Sequence, residues 1–247
     1  MRLAEPLADP DAPLARRNPV AKLAAAFALS FGLVATLDPV APAIALAAEL
    51  AVVPLFGVRY RTLLRRGWPV GLSAVGMGVV QLVFGTGPVG ALALGLRVLA
   101  VALGSVLVFA GIDPTELADA LVQQVRVPAR FAIGALAAFR LLPLLAQEWE
   151  LLVLARRARG IEAGRNPVVR LRLFASTMFA LLVGAIRRGT RLATAMDARG
   201  FGGGSRRSMA RRSRFTTADA ALVGGALALT ALALGVSLAT GAFRPLL

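Results

Sequence analysis

The chain has 247 residues, 57% of them hydrophobic, and its 28 basic and 13 acidic residues give it a net charge of +15. Charged residues make up 17%, well below the roughly 25% of an average soluble protein, so the composition predicts a membrane protein. The chain has no cysteine and no histidine, and its only lysine, Lys22, follows Ala21; this excludes disulfides, thiolate or imidazole metal sites, histidine catalysis and a Gly-Lys-Ser/Thr phosphate loop.

Five apolar runs have about the 17–25 residues that a membrane-spanning helix needs. In chain order they are residues 21–37, 40–58, 68–85, 89–111 and 218–243. Two further runs, residues 131–146 and 173–186, are too short or too interrupted to be predicted as spans. The pattern therefore predicts five transmembrane helices.

The basic residues alternate between rich and poor connections along this pattern. Four precede or begin the first span, none lies at 38–39, four lie at 59–66 and none at 86–88. Residues 112–217 then hold 18 arginines against seven acidic residues, and only Arg244 follows the last span. Because basic residues favour the cytoplasmic side, we expect a cytoplasmic N-terminus, an external C-terminus and cytoplasmic membrane-associated helices at 112–217. The first 20 residues do not resemble a secretory signal peptide.

The predicted fold class is an all-α integral membrane protein, with about five transmembrane helices and long cytoplasmic helices between spans four and five. Residues 1–111 would form an N-terminal cytoplasmic segment and spans one to four, 112–217 the cytoplasmic helical region, and 218–247 the fifth span and C-terminus. The arginine cluster at 206–214 could bind nucleic acid. Such clusters are also usual beside a span, so no specific nucleic-acid partner is expected.

Helix signals divide the cytoplasmic region. Asp113 and Pro114 have the types preferred at an N-cap and first helical position, and Val127 with Pro128 then breaks the pattern. Long helices are predicted at 129–159 and about 167–199. Pro128 and Pro143 are the candidate hinge residues, Pro143 because proline kinks a helix.

Both long helices are predicted to end in the same three-residue motif. Its two copies, 40 residues apart, are Ala158-Arg159-Gly160 and Ala198-Arg199-Gly200. Each glycine lies where the residue after a helix takes a left-handed conformation, and each arginine lies where the helix dipole favours a cation able to bind a carboxylate. Ordinary helix caps would explain one copy. Two matching copies favour docking onto a soluble partner.

Two charges lie deep within predicted spans, Glu49 in the second and Arg97 in the fourth, whereas Lys22 and Asp219 lie at span ends. Both would lie roughly 12–14 Å below the outer surface, where unpaired charges are costly. We hypothesise that they form an ion pair; alternatively, each borders water or a partner. Ala231, Gly235 and Ala239 form a stripe of small residues on the fifth span, which predicts close helix packing or, less simply, contact with a partner protein.

The paired motif, in this order and topology, resembles the transmembrane T component of energy-coupling factor (ECF) transporters, the permease-like family of biotin, cobalt and shared-vitamin systems. The resemblance extends over nearly the whole chain. It includes residues 17–23, 113–121, 127–128 and 140–143 as well as the two Ala-Arg-Gly motifs.

This resemblance implies a coupling subunit in the cell membrane without catalytic residues, cofactor or bound metal. Arg159 and Arg199 would each contact acidic residues of one of two ABC-type ATPases. Motion of the long helices would then act on a small membrane-embedded S component that carries a vitamin or a metal ion, which this sequence does not identify. A conventional ABC permease subunit is the nearest alternative. A membrane enzyme is disfavoured because no paired carboxylates or nucleophile are evident.

Overall fold

The computed structural model describes residues 12–85, 87–162, 164, 166–201, 209 and 211–241. Within these ranges the secondary structure is helical. The helices are α1 (Pro19–Val34), α2 (Val40–Val52) with a 3-10 turn (Val53–Phe56), α3 (Tyr60–Phe84), α4 (Pro88–Ala110), α5 (Pro114–Gln123), α6 (Ala129–Ala158), α7 (Pro167–Ala198) and α8 (Thr217–Ala239). The all-α membrane class predicted from the sequence is confirmed.

Five of the helices are long and apolar enough to cross a membrane, as judged by length and composition. These are Gly67–Phe84 within α3, and the whole of α4, α6, α7 and α8. Three of them coincide with predicted spans, whereas α6 and α7 are helices that the sequence placed in the cytoplasm. The first two predicted spans form the shorter apolar helices Pro19–Val34 and Val40–Phe56.

The predicted and observed spans differ because an uninterrupted apolar run and the helix that contains it need not have the same length. The run at 21–37 included residues that lie beyond the end of α1, so its helix is shorter than predicted. Conversely, α6 and α7 continue through their arginines, because arginine is a good helix former. The prediction that the runs at 131–146 and 173–186 are too short to span was therefore wrong, since the helices that contain them are long and apolar enough. The cytoplasmic placement of α6 and α7 rests on the arginine distribution alone.

The chain divides into two compact units. The first, Met1–Arg126 with Arg212–Leu247, holds α1 to α5 and α8; the second, Val127–Arg211, holds α6 and α7. These limits differ from the segments 1–111, 112–217 and 218–247, since α5 belongs to the first unit. The assignment of those segments to membrane and cytoplasm remains a prediction.

Small side chains bring the helices of the first unit together. Ala41 and Ala45 of α2, Ala100 of α4 and Ala233 of α8 are buried in one cluster with Leu33 of α1. Because alanine has only a methyl group, the helix backbones can approach closely and gain dispersion contacts without large side chains.

The close approach of α8 uses a different face from the predicted one. Gly32 of α1 lies directly against the side chain of Thr230, with no room for a β-carbon. The buried residues of this face include Ala233 and Ser237, whereas Ala231, Gly235 and Ala239 are exposed. The prediction that this last stripe packs internally was wrong. The buried face of α8 holds Ala233 and Ser237, each two residues after a member of the predicted stripe.

Three side-chain contacts join α6 and α7 in the second unit. Trp149 meets Phe174 edge to face with ring centroids 5.5 Å apart. Glu148 and Arg188 form an ion pair with an Oε2–Nη1 distance of 2.6 Å. Arg156 donates from Nη1 to the carbonyl of Leu173 at 3.1 Å and to the hydroxyl of Ser176. The rest of both helices exposes many large apolar side chains, among them Phe131, Phe139, Leu142, Phe179 and Leu182.

Candidate functional site

The Ala-Arg-Gly motifs form two helix ends of nearly equal geometry. Helix α6 ends at Ala158 with Arg159 as its C-cap at φ −88° and ψ 7°. Helix α7 ends at Ala198 with Arg199 as its C-cap at φ −88° and ψ 8°. The two arginines therefore leave the backbone in the same way. We call these ends the first and the second tip.

Each tip is closed by the same hydrogen-bond pattern. Gly160 has φ +70° and Gly200 φ +76°, the left-handed conformation that the sequence predicted. At the first tip the N–H groups of Gly160 and Ile161 donate to the carbonyls of Arg157 and Arg156, at 2.9 and 3.0 Å. At the second tip the equivalent bonds are Gly200 to Asp197 at 2.9 Å and Phe201 to Met196 at 3.0 Å. This pair of backbone hydrogen bonds is the Schellman motif, which fixes the direction of the chain after the helix.

The tip arginines differ in their surroundings from the arginines beside them. Arg156 is bound to Leu173 and Ser176, and Arg157 lies 3.9 Å from Glu162. By contrast, Arg159 and Arg199 are exposed, and their side chains make no hydrogen bond or ion pair within the described part of the chain. Each presents a free planar guanidinium at the negative end of a helix dipole, a geometry suited to a bidentate bond with a carboxylate.

The predicted hinge prolines lie at the start and in the middle of α6. Pro128 is the N-cap of α6, and Pro143 lies inside the helix, which continues past it. Two residues before Pro128, Arg126 has φ +62°, the one left-handed non-glycine residue among those described. A left-handed conformation is costly for a residue with a β-carbon. Motion at either proline remains a prediction.

The structure does not bring Glu49 and Arg97 together. Oε1 of Glu49 lies 2.6 Å from the place that a β-carbon of Gly104 would occupy, and Oε2 has no hydrogen-bond partner. Nε and Nη2 of Arg97 also lack a hydrogen-bond partner, and the carboxylate that acts on Arg97 electrostatically belongs to Asp38. Arg97 and Gly104 are two helical turns apart on α4, roughly 10 Å. Because Glu49 lies against Gly104, its carboxyl group is at a different level along α4 from Arg97.

The error came from measuring depth from the first residue of each predicted span. That method assumes that α2 and α4 begin at the same level. The early turns of α4 instead lie beside α3, where the carbonyl of Ala74 is 3.5 Å from a β-carbon built on Gly95. Arg97 is under the electrostatic influence of Asp38, in the turn before α2, and Glu49 lies against Gly104, in a later turn of α4.

Asp38 is a buried carboxylate in the turn between α1 and α2, with 1% of its surface exposed. Burial alone raises the pKa of such a group, but Asp38 accepts hydrogen bonds from the hydroxyl of Thr36 and, at 3.0 Å, from the backbone N–H of Ala41. These bonds stabilise the charged form and outweigh burial, so the pKa of Asp38 lies below its usual value.

The lowered pKa of Asp38 predicts a pH-dependent contribution to stability. The carboxylate stabilises the fold above its unfolded pKa of about 3.9, and this contribution disappears as the pH falls through the lower folded pKa. We therefore expect wild type to be more stable than Asp38→Asn at about pH 6 and the difference to shrink toward about pH 2. Chemical denaturation of both proteins across this range checks the trend. The same substitution at the exposed Asp197 is the control, and a difference for Asp38 that does not change with pH would contradict the argument.

A polar cluster that the sequence reading did not identify joins three distant stretches of the first unit. We call Asn18, Gln123, Gln124, Ser213 and Asp219 the polar anchor. The backbone N–H of Asn18 donates to Oδ1 of Asp219 at 2.9 Å, and its side-chain amide donates to Oγ of Ser213 at 3.1 Å. Gln124 donates to the same hydroxyl at 2.8 Å, and Ser213 donates its backbone N–H to Gln123 at 2.9 Å.

Local signals for the polar anchor were present in the sequence. Asn18 before Pro19 has the pattern of an N-cap, and its side chain does accept the N–H of Val20. Thr216 and Asp219 form a capping box at the start of α8. These signals predict helix starts, but they cannot reveal that the starts of α1 and α8 meet. That contact depends on the tertiary fold.

Two further sequence hypotheses concern metal and nucleic acid. No group of three or more potential metal-ligating residues occurs in the described ranges. Much of the arginine cluster at 206–214, namely residues 206–208 and 210, lies outside the described residues.

Comparison with known proteins places these features in a family context. The family model described as CbiQ, cobalt transport protein, matches residues 11–210 of this chain, a range that includes both tips. The chain is 38% identical over 119 residues to the energy-coupling factor transporter transmembrane protein EcfT of Exiguobacterium sibiricum, covering 45% of each chain. Proteins of the same name from Lacticaseibacillus paracasei and Bacillus subtilis are 32% and 29% identical over 130 and 127 residues. The alignments with them cover 49% and 48% of each chain, so this chain matches about half the length of these relatives.

Proposed function

Because the chain belongs to the CbiQ family of cobalt transport proteins, we propose that it is the transmembrane coupling subunit of an ECF-type ABC importer. In this proposal two ABC-type ATPases bind the first and second tips. Their conformational changes pass along α6 and α7 to a membrane-embedded S component that holds the substrate. The observation that carries the proposal is the pair of equivalent, exposed tip arginines, whose side chains have no partner among the residues that the structure describes.

The equivalence of the tips supports a pair of like partners. Arg159 and Arg199 share backbone dihedrals within a degree and the same closing hydrogen bonds. One kind of complementary groove can therefore accept either tip, and two copies of one ATPase fold would present that groove twice. A carboxylate in the groove would bind the guanidinium through two parallel hydrogen bonds, which fixes orientation as well as affinity.

The helices behind the tips are suited to transmit displacement. α6 and α7 have 30 and 32 residues, so each is about 45 Å long at 1.5 Å per residue. The Trp149–Phe174 contact and the Glu148–Arg188 ion pair join them, which favours movement of both as one lever. Their exposed apolar side chains provide surface for the bilayer or for the S component.

The remaining parts of the proposal follow from the family and the charge pattern. The chain is a multi-pass membrane protein, and we place its N-terminus in the cytoplasm and its C-terminus outside. ATP hydrolysis belongs to the partner ATPases, so this subunit is non-catalytic and needs no cofactor. The substrate class is a vitamin such as biotin, or a transition-metal ion such as cobalt, and its identity is determined by the S component.

Affinity purification from native membranes in mild detergent tests this function. Wild type should retain two ABC-type ATPase subunits and one small membrane protein, whereas Arg159→Glu/Arg199→Glu should lose the ATPases because each carboxylate would now meet a carboxylate. The double variant Arg130→Glu/Arg191→Glu is the control, since it changes the charge equally on exposed positions of the same helices. Absence of any ATPase from the wild-type preparation would contradict the proposal.

A further inference from the structure

The first unit contains an apolar cavity of about 260 Å³ between α1, α2, α4 and α8. Its walls are formed mostly by aliphatic and aromatic side chains, including Leu29, Val52, Phe56, Leu107 and Leu229. Of the described residues that line it, only Lys22 and Glu49 carry charge. The cavity thus combines a wall suited to hydrocarbon with two ionisable groups.

The carboxyl group of Glu49 is the part of this wall that lacks a partner. Glu49 is 6% exposed, and its Oε2 makes no hydrogen bond. Its Oε1 occupies space that exists because residue 104 is a glycine, since a β-carbon there would lie 2.6 Å away. A carboxyl group buried without a cation or donor is energetically costly, so a ligand that supplies one gains the full benefit of the pairing.

Within the described residues, neither Lys22 nor Arg97 pairs with Glu49. Lys22 donates from Nζ to the carbonyls of Ala15 and Gly111, and its electrostatic partners are Glu116 and Asp219. Arg97 is two turns of α4 away and is under the influence of Asp38. Glu49 is therefore the group in the cavity that is left for an external cation.

We propose that this cavity binds an alkylammonium group, with the ammonium at Glu49 and the hydrocarbon stem along the apolar wall. A primary ammonium is compact, carries three N–H donors and sits on a stem that apolar surfaces accept. A divalent metal would need several oxygen ligands, whereas one carboxyl group faces this space. A quaternary ammonium has no N–H to donate and is normally recognised by several aromatic rings, of which the lining includes Phe56 alone.

Hexylamine provides a direct probe, with hexan-1-ol as the neutral molecule of the same length. Thermal unfolding of the purified protein is measured while each compound is titrated. Ligand binding to the folded state raises the melting temperature. We expect hexylamine to raise that of wild type saturably and well beyond hexan-1-ol, and Glu49→Gln to weaken the amine-specific effect at least tenfold. Equal responses to amine and alcohol in wild type would overturn the proposal.

A second variant keeps the test decisive if Glu49→Gln does not fold. Gly104→Ala introduces a β-carbon against Oε1 of Glu49 and should also weaken hexylamine binding. Gly95→Ala is the control on the same helix, because its β-carbon makes an ordinary 3.5 Å contact with the carbonyl of Ala74. Hexylamine binding is then measured in each of the two variants that folds. Binding that neither Gly104→Ala nor Glu49→Gln weakens would contradict a site at Glu49.

The source of the ammonium group can be identified in cells. A photo-reactive residue replacing Leu229 in the cavity wall should form an adduct that disappears when Glu49→Gln is added. An adduct of protein mass would assign the ammonium to a lysine side chain of a partner membrane helix. An adduct of small mass would assign it to an amine dissolved in the membrane. An adduct that persists with Glu49→Gln would contradict ammonium binding at this carboxyl group.

Discussion

Lys22→Met is expected to reduce the free energy of unfolding of the first unit by about 2–4 kcal/mol. Lys22 is 1% exposed, and its ammonium donates to the carbonyl of Ala15 and, at 2.6 Å, to that of Gly111. Methionine preserves the length and apolar contacts of the stem but removes the donors. Both carbonyls would then lack this partner, and Asp219 would lose a nearby cation. Denaturant unfolding of the purified protein, followed by circular dichroism, measures the loss.

The effect should be larger than that of removing an exposed cation. Arg61→Met, on the exposed side of α3, is the control and should change the stability by less than about 0.5 kcal/mol. Because Lys22 connects α1 to the segment before it and to the end of α4, its loss should also reduce the cooperativity of unfolding. Equal stability of wild type and Lys22→Met would mean that the two carbonyl contacts contribute nothing net.

Features governed by neighbouring residues could be predicted from the sequence. Asp113 does cap α5, accepting the backbone N–H groups of Thr115 and Glu116, because an N-cap needs only an acceptor beside the first turn. Gly160 and Gly200 are left-handed because a Schellman motif requires that conformation at the residue after the C-cap. The left-handed glycines of the tips were therefore predicted from the residues themselves, whereas the two ATPases as partners are implied only by the family resemblance, since the chain does not encode its partners.

Features that depend on the level or rotation of one helix against another could not be predicted. The Glu49–Arg97 hypothesis placed both charges on facing sides of α2 and α4 but misjudged their level along α4. The small-residue stripe of α8 likewise has residue types suited to close packing, but another face of α8 is turned toward α1, since Gly32 contacts Thr230 and not the predicted stripe. The polar anchor joins Asn18 to Asp219, 201 residues apart, and no local signal reports such a contact.

Gly160→Val/Gly200→Val is expected to abolish retention of the proposed ATPases while leaving the first unit folded. Valine has a branched β-carbon, which is strongly disfavoured at φ near +70°, so each tip would have to abandon its conformation at a cost of about 1–2 kcal/mol or more. Without the Schellman motif, Arg159 and Arg199 would no longer leave the helix end in one fixed direction. The same affinity purification used for the charge-reversed tips, followed by quantification of bound ATPase, measures the effect.

A matched control separates tip geometry from loss of glycine in general. Gly134→Val/Gly189→Val places the same side chains at helical positions of α6 and α7 where nothing lies within 4 Å of a β-carbon. That variant should retain the ATPases, because valine is more favourable than glycine in a helix interior. If both double variants retain the partners equally, the fixed direction of the tip arginines is not required. Docking would then depend on their charge alone, which Arg159→Glu/Arg199→Glu would still remove.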